Sequence, residues 1–135
     1  MVILFDQYNL PEDVFEVIFA TEQQVMVGRM LFETMKQYGG EIGKTEMSYF
    51  ANKLHDGTFI EVDEDVGPIK KKNKIKISYN KRQFYDRILT PMKGMGMIDY
   101  DMYRKKYKVS EGFQKALVKV GLMWNREVAA PVKQS

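Results

Sequence analysis

The chain contains no cysteine, and among its 135 residues there are one histidine, one tryptophan and four prolines. Without cysteine there can be no disulfide and no thiolate metal site, and a single histidine leaves a soft metal almost no ligands. No apolar run approaches the roughly 18 residues of a membrane-spanning helix, and the first residues lack the basic leader of a signal peptide. We therefore expect a soluble, cytoplasmic protein that holds no metal or other cofactor and does not enter a membrane.

The sequence also lacks the residue sets that most enzymes need. There is no Ser/His/Asp set and no convincing acid pair, and His55 at a predicted helix end indicates a structural or solvent-exposed role. Glu61, Asp63 and Asp65 alternate, but without the glycine and terminal glutamate spacing of a calcium loop. The segment 94–96, Gly-Met-Gly, has no phosphate-loop companions and predicts a turn. We therefore expect no catalytic residue and no enzyme activity.

Charge is unevenly distributed along the chain. Residues 1–67 contain 4 Lys/Arg and 13 Asp/Glu, a net charge of −9, whereas residues 68–135 contain 17 Lys/Arg and 5 Asp/Glu, a net charge of +12. This asymmetry is typical of a chain with one surface for a polyanion, although folding can also redistribute charges that are merely clustered in sequence.

Helix signals occur at several places. Thr21 begins a capping box that predicts a helix to about Tyr38, and apolar residues at i, i+3, i+4 and i+7 predict a second helix over 44–54. Asn80 is expected to cap a third helix over 81–93, kinked or restarted at Pro91. Asn9 is expected to cap an N-terminal element over 14–20, either a short helix or a strand. Ser110 is expected to cap a last helix, with one face formed by Phe113, Ala116, Leu117, Val120 and Trp124.

Alternating apolar residues predict two hairpins. One joins 58–62 to 74–78, and the other joins 97–101 to 104–109 around a turn at Met102-Tyr103. The expected organisation is a single domain, 1–135, with an N-terminal extension 1–23, a core 24–109 interrupted by an insertion 56–76, a C-terminal helix 110–127 and a tail 128–135. The predicted fold class is α+β, mostly helical.

The order helix, helix, helix, hairpin, helix from Gln24 onward resembles the winged helix-turn-helix superfamily of DNA-binding domains. The resemblance covers about 100 residues loosely and about 35 closely, and it points to small archaeal or archaeal-virus regulators. It is carried by Phe84, Tyr85, Ile88 and Leu89 in the third helix, by Met92, Gly96, Met97 and Ile98 after it, by the basic hairpin Arg104 to Lys108, and by Ser110-Glu111-Gly112.

The resemblance implies that the third helix reads the DNA major groove and that the second hairpin is the wing. Arginine and glutamine can pair bidentately with guanine and adenine edges, while lysines and hydroxyls suit phosphates. Strand alternation predicts that 104, 106 and 108 share one face of the wing, directing three cations into a groove together. The expected DNA-binding residues are Tyr79, Asn80, Lys81, Arg82, Gln83, Tyr85, Arg87, Arg104, Lys105, Lys106, Lys108, Lys70 and Lys72.

Two features depart from the resemblance. Asp86 in the third helix could accept a hydrogen bond from a cytosine amine, pair with Lys81 or Arg82, or repel phosphate. The insertion before this helix is longer than the few residues or short strand usual in such domains. Its lysines could extend the DNA footprint, the loop could order only on binding, or the acidic run 63–65 could shield the lysines.

The sequence thus predicts sequence-specific binding of double-stranded DNA, as a transcriptional regulator. A homodimer is expected through the N-terminal segment 14–19 and the outer face of the last helix at Leu122, Met123 and Trp124. The alternative is a winged-helix protein-interaction module of transcription or replication machinery, to which the acidic first half is suited.

Overall fold

The computed structural model describes residues 5–66 and 69–132, without the side chains of residues 59–75. The fold is α+β and mostly helical, with a three-stranded antiparallel sheet and a separate two-stranded hairpin. The elements are α1 Val14–Ile18, α2 Glu22–Gln37, β1 Glu41–Gly43, α3 Lys44–Asp56, β2 Thr58–Val66, β3 Ile69–Ile77, α4 Lys81–Phe84, a π-helical segment Tyr85–Leu89, α5 Thr90–Gly94, β4 Ile98–Asp101, β5 Lys106–Val109 and α6 Gly112–Ala129.

The first two helices begin at side-chain caps. The Thr21 hydroxyl accepts from the Gln24 N–H at 3.1 Å, which confirms the predicted start of α2. The short helix α1 lies within the predicted element 14–20, but its cap is Asp13, which accepts from the Phe15 N–H at 3.0 Å. Asn9, the predicted cap, instead lies in a turn where its backbone N–H donates to the carbonyl of Asp6.

The third predicted helix is present over residues 81–94, but it changes geometry in the middle. α4 and α5 flank the π-helical segment 85–89, in which the Thr90 N–H donates to the Tyr85 carbonyl five residues earlier. Pro91 lacks an N–H and stands in the first turn of α5, so the helix restarts at the proline as predicted. A π turn before it absorbs one extra residue.

The three-stranded sheet has the order β1-β5-β4. β4 and β5 form the predicted second hairpin, with Tyr100 opposite Tyr107 and their ring centroids 4.6 Å apart. β1 was not predicted; it pairs with β5 so that Ile42 faces Tyr107. This pairing ties the hairpin to the start of α3, where the Lys44 N–H also donates to the Lys105 carbonyl at 3.2 Å.

The core is built around helix 81–94. Its apolar residues Phe84, Ile88, Leu89 and Met92 are buried, and they meet α2, α3 and β4. Phe15 and Phe19 of the N-terminal segment are also buried in this core. They are therefore unavailable for the dimer interface that the sequence suggested for residues 14–19, and Val14 remains the exposed apolar residue of α1.

The insertion folds as a long hairpin rather than an irregular loop. β2 and β3 pair in register from Thr58 opposite Ile77 to Val66 opposite Ile69, and in this sheet they pair only with each other. The hairpin is thus longer than predicted. Its register sets acidic positions opposite lysine positions: Glu61 and Lys74, Asp63 and Lys72, Glu64 and Lys71, Asp65 and Lys70.

The last helix, α6, projects from the body. The Ser110 hydroxyl accepts from the Gly112 N–H at 3.1 Å near its start, and the Phe113 N–H donates to the Gly96 carbonyl at 2.9 Å. The sequence predicted an amphipathic helix, yet none of its residues is buried. Among the described residues, no helix combines the length and apolar character needed to cross a bilayer.

Candidate nucleic-acid interface

The N-terminus of helix 81–94 is held by two side chains. The Asn80 amide oxygen accepts from the backbone N–H groups of Arg82 and Gln83 at 2.9 and 3.3 Å. The Nδ1 atom of His55, at the end of α3, accepts from the Lys81 N–H at 3.3 Å. His55 therefore has a structural role, and the oxygen of Asn80 is engaged in capping. Together they fix the orientation in which this helix presents its first turn.

One side of helix 81–94 is polar and exposed. Four of the residues expected to contact DNA lie on the surface: Lys81, Arg82, Gln83 and Arg87. Asp86 lies among them, with its carboxylate 4.0 Å from Arg82 Nε. Both side chains are more than two-thirds exposed, so the pair is weak and leaves Arg82 able to turn to another partner.

Two tyrosines that were expected at the interface are buried to different degrees. Tyr79 has 6% of its surface exposed, because its N–H donates to the Leu54 carbonyl at 2.9 Å and fixes the residue against the end of α3. The residue is therefore mostly covered, and its predicted phosphate contact stays a prediction. Tyr85 is half-buried, with its ring centroid 5.3 Å from that of Phe84.

The hairpin β4–β5, which follows helix 81–94, is called the wing below as a label only. Its turn is longer than predicted. The Asp101 carboxylate accepts from the N–H groups of Tyr103 and Arg104 at 2.9 and 3.2 Å, and Lys105 has a positive φ of 52°. The turn therefore takes in residues 102–105, and Arg104 is not on a strand. The predicted alternation of 104, 106 and 108 on one strand face is wrong for Arg104.

A glutamate from the acidic half of the chain lies under the wing cations. Glu41 Oε1 is 2.7 Å from Arg104 Nη2 and 3.6 Å from Lys106 Nζ. This oxygen is buried and has no hydrogen bond of good geometry among the described residues, so the two cations hold it by charge. Glu41 therefore neutralises part of the positive charge expected at the wing.

The remaining wing cations are less compensated. Lys105 and Lys108 are both exposed. Lys105 lies in the turn, and Lys108 lies on β5 opposite Glu41 and Asp99, but neither lysine has an ion pair within 4.0 Å in the described part of the chain. At the tip of the turn, Met102 is 77% and Tyr103 is 99% exposed. The tip therefore combines an exposed aromatic ring, an apolar side chain and a lysine.

Helix 81–94 and the wing are connected by Lys93. This residue is exposed at the end of α5, and its Nζ lies 5.7 Å from the centre of the Tyr100 ring on β4. Tyr100 packs on Tyr107, and burial, with the neighbouring Tyr85 and Tyr100, raises the pKa of the Tyr107 phenol above its ordinary value. The phenol stays neutral near pH 7, so it does not weaken the positive potential here.

An open cleft borders the wing on its other side. It has a volume of about 720 Å³ and lies between the start of α3 and the turn 102–105. Both signs of charge line it, with Glu41 and Glu46 facing Arg104, Lys105 and Lys106. The mixture suits neither a deep ligand pocket nor a purely anionic guest.

The hairpin lysines and an ion pair in the acidic half remain to be placed. The side chains of Lys70 and Lys72 lie outside the described part of the chain, so their predicted DNA contacts stay predictions.

At the start of α1, burial alone would raise the pKa of Asp13. The hydrogen bond from Arg29, the N–H of Phe15 and the positive charge of Arg29 outweigh burial and lower this pKa on balance. This ion pair fastens α1 to α2, away from the wing.

The sequence analysis missed Glu41, Lys93 and the exposed tip at residues 102–103. Glu41 had no local signal, because it reaches the wing only through the pairing of β1 with β5. For the turn, Asp101 was a usable signal, since aspartate accepts from N–H groups two and three residues later.

Among the described residues no three His, Asp or Glu side chains are close enough to hold a metal ion. Comparisons with protein families, with characterised proteins and with solved structures give no match for this chain.

Proposed function

We propose that this chain is a winged helix-turn-helix protein that binds double-stranded DNA sequence-specifically, as a transcriptional regulator. The observation that carries the proposal is the exposed polar side of helix 81–94, where Lys81, Arg82, Gln83 and Arg87 stand opposite the buried apolar stripe. Arg82 and Gln83, in the first turn, are the residues suited to base edges. A hairpin follows this helix directly and carries further cations.

The capping of helix 81–94 supports this assignment. A helix that reads bases has to present its first turn rigidly, since a bidentate contact tolerates little displacement. Asn80 and His55 occupy three of the N–H groups at its start. The helix is therefore preorganised, and little ordering is needed on binding.

Within the wing, the ion pairs divide the cations into two classes. Lys105 and Lys108 are the phosphate contacts in this proposal, because Arg104 and Lys106 are already paired with Glu41. Contacts of this class position the protein on the duplex without reading sequence. Lys93 at the end of α5 extends the same positive surface between helix and wing.

Fluorescence anisotropy with random duplex DNA over a salt series tests the proposal. Log affinity is expected to fall linearly with log salt, with a slope of about −0.9 for each neutralised phosphate. Replacing both Lys105 and Lys108 by Ala is expected to shallow the slope by about 1–2, while Lys119→Ala, on exposed α6, is the matched control and leaves it unchanged. No measurable duplex binding at about 50 mM salt refutes the proposal.

The base-reading residues need a separate measurement. After selection of preferred duplexes from a random pool, Arg82→Ala or Gln83→Ala is expected to reduce discrimination between preferred and random DNA by about 1–3 kcal/mol per base pair. Random-duplex affinity changes much less. An equal loss on both kinds of DNA contradicts the assignment of helix 81–94 as the reading helix.

A protein-interaction module is the second candidate. The observation that favours it is the wing tip, where Met102 and Tyr103 are exposed while Glu41 neutralises two of the cations behind them. Exposed aromatic and methionine side chains are enriched at protein interfaces. Absence of duplex binding at low salt, in a protein that is folded by circular dichroism, selects this candidate over DNA.

A further inference from the structure

α6 carries seven of the sixteen large hydrophobic side chains that are exposed in the described chain. Phe113, Leu117, Val120, Trp124 and Val128 follow one another at spacings of four, three, four and four residues, so they form one side of the helix, named here the α6 stripe. Their exposure rises away from the body, from 43% at Leu117 to 69% at Trp124. A continuous apolar surface of this kind indicates a partner.

The α6 stripe can pack against the same stripe of a second copy that runs antiparallel to it. If a second α6 runs antiparallel with its centre between residues 120 and 121, Phe113 meets the partner subunit's Val128, and Leu117 meets the partner subunit's Trp124. Val120 then meets the partner subunit's Gly121. Of the positions beside the stripe that border such a pairing, Gln114, Ala116, Gly121 and Met123 carry no charge, and Glu127 is the charged exception.

Gly121 stands where the two helices would approach most closely. Glycine is unfavourable inside a helix compared with alanine, and a Cβ built at Gly121 meets nothing within 4 Å in its own chain. No contact inside the described protomer therefore requires a glycine here. A second helix crossing at this point would, because the absence of a side chain admits the partner subunit's Val120.

A groove continues the α6 stripe at its N-terminal end. It has a volume of about 440 Å³ and is lined mainly by apolar side chains of the N-terminal segment, of Met95 and of Phe113 and Leu117. In the antiparallel pairing, the partner subunit's Trp124 lies beside Leu117 at the mouth of this groove. The groove thus offers an apolar site to the most exposed large side chain of the α6 stripe.

We propose that the occupant of this surface is a second copy of the chain, and that a two-fold axis passes α6 near Gly121. An 18-residue helix is about 27 Å long and about 10–12 Å wide, so one side offers on the order of 500 Å² per copy. Two copies bury roughly 1,000 Å², the lower bound for a specific interface, and the two grooves add to it. Leu122, suggested from sequence as an interface residue, lies on the opposite side of the helix.

Sedimentation equilibrium and the emission of Trp124 together test the proposal. Trp124 is the sole tryptophan, so its spectrum reports this one position. With increasing protein concentration, the mass is expected to rise to twice 15.8 kDa and the emission maximum to shift to the blue. Acrylamide quenching is expected to fall over the same concentration range. A concentration of about 100 μM is well above the dissociation constant of a specific interface. A protein that remains monomeric, with unchanged emission, up to this concentration overturns the proposal.

Two valines provide a matched pair of variants. Val120 lies on the α6 stripe and Val118 on the opposite side, and they are 54% and 57% exposed. Val120→Lys is expected to give a folded monomer with red-shifted tryptophan emission, whereas Val118→Lys remains dimeric. Equal effects of the two substitutions, or a Val120→Lys dimer, contradict the proposed face.

Gly121 supplies an independent variant. Gly121→Leu adds a side chain that finds free space within one chain, so the monomer keeps its circular dichroism, and its thermal midpoint does not fall because leucine is a better helix former than glycine. The dimer dissociation constant is expected to rise at least tenfold, because the added side chain separates the helices. Unchanged dimerisation refutes a crossing at this residue. None of these measurements involves DNA, so their outcome is separate from that of the proposed function.

Discussion

At the scale of single residues, Gly96 is the point where α6 is joined to the body. Its φ is +83°, and a Cβ built on it would lie 2.8 Å from the carbonyl carbon of Gly112 and 2.9 Å from the backbone nitrogen of Phe113. Both obstacles are backbone atoms and cannot rotate away. Gly96 is therefore needed both for its left-handed conformation and for the close approach of the first turn of α6.

Replacing this glycine gives the first stability prediction. Gly96→Ala is expected to lower the free energy of unfolding by about 1–3 kcal/mol, the cost of a strained backbone position, measured by urea denaturation. Gly94→Ala is the control, because its added Cβ meets nothing within 4 Å and its φ is not positive. We expect it to change stability by less than about 1 kcal/mol. Equal effects would mean that the contact at Gly96 relaxes without cost.

The residues also differ in how far sequence could predict their surroundings. Lys81, Arg82, Gln83 and Arg87, which were expected among the DNA-binding residues, are exposed, because the apolar stripe of a helix fixes which side is buried. Tyr79 was expected at the interface but is buried, because a backbone hydrogen bond to Leu54, 25 positions earlier in the chain, draws it into the core. Periodicity contains no information about such distant contacts.

At the scale of elements, local signals predicted the helices better than the sheet. A capping threonine and four residues at helical spacing are sufficient for α2 and α3. β1 has three residues, too few for an alternating pattern, and it exists only because β5 is available to pair. Glu41 reaches the wing through this pairing, so the charge balance of the candidate site could not be predicted without it.

The register of the hairpin β2–β3 bears on two hypotheses for the insertion: that its lysines extend the DNA footprint, and that its acidic residues shield them. Its register sets Glu61, Asp63 and Asp65 opposite Lys74, Lys72 and Lys70. Directly opposite positions of a strand pair interact, and opposite charges there are favourable by about 0.2–1 kcal/mol. The register thus favours shielding of these lysines over a direct extension of the DNA footprint.

Excision of the hairpin gives the prediction at this scale. Residues 60–75 can be replaced by Asn-Gly, which forms a two-residue hairpin turn between Phe59 and Lys76. The thermal midpoint is expected to change little, because β2 and β3 pair only with each other. The salt slope of DNA binding is expected to shallow by less than about 1. A loss of about 3 or more would mean that the lysines bind phosphate.

An intact hairpin without its acids is the matched variant. Glu61→Gln, Asp63→Asn and Asp65→Asn together keep the shape and leave the positions of Lys74, Lys72 and Lys70 unopposed. If shielding operates, this triple variant binds random duplex more tightly and with a steeper salt slope than the native chain. An unchanged slope contradicts shielding, whatever the excised variant does.

At the scale of the whole molecule, folding reduces the separation of charge present along the chain. Glu41 from the acidic half holds Arg104 and Lys106 of the basic half, while Asp13 and Arg29 pair within the acidic half. The cations left for a polyanion are on helix 81–94 and around Lys105 and Lys108. One protomer therefore offers a smaller positive surface than the sequence total suggests, which makes the number of copies that engage DNA important.

The two proposals together yield a last prediction about valency. A dimer that touches DNA through two protomers neutralises twice as many phosphates as one protomer, so its salt slope is about twice as steep. The second contact is intramolecular and adds affinity without new residues. The monomeric variant Val120→Lys is therefore expected to bind random duplex with about half the native slope and at least tenfold weaker affinity, whereas Val118→Lys matches the native chain. Because both variants add one lysine at similar exposure, their net charges are equal and cannot explain a difference. An equal slope for both, with Val120→Lys proven monomeric by sedimentation, would mean that only one protomer of the dimer contacts DNA.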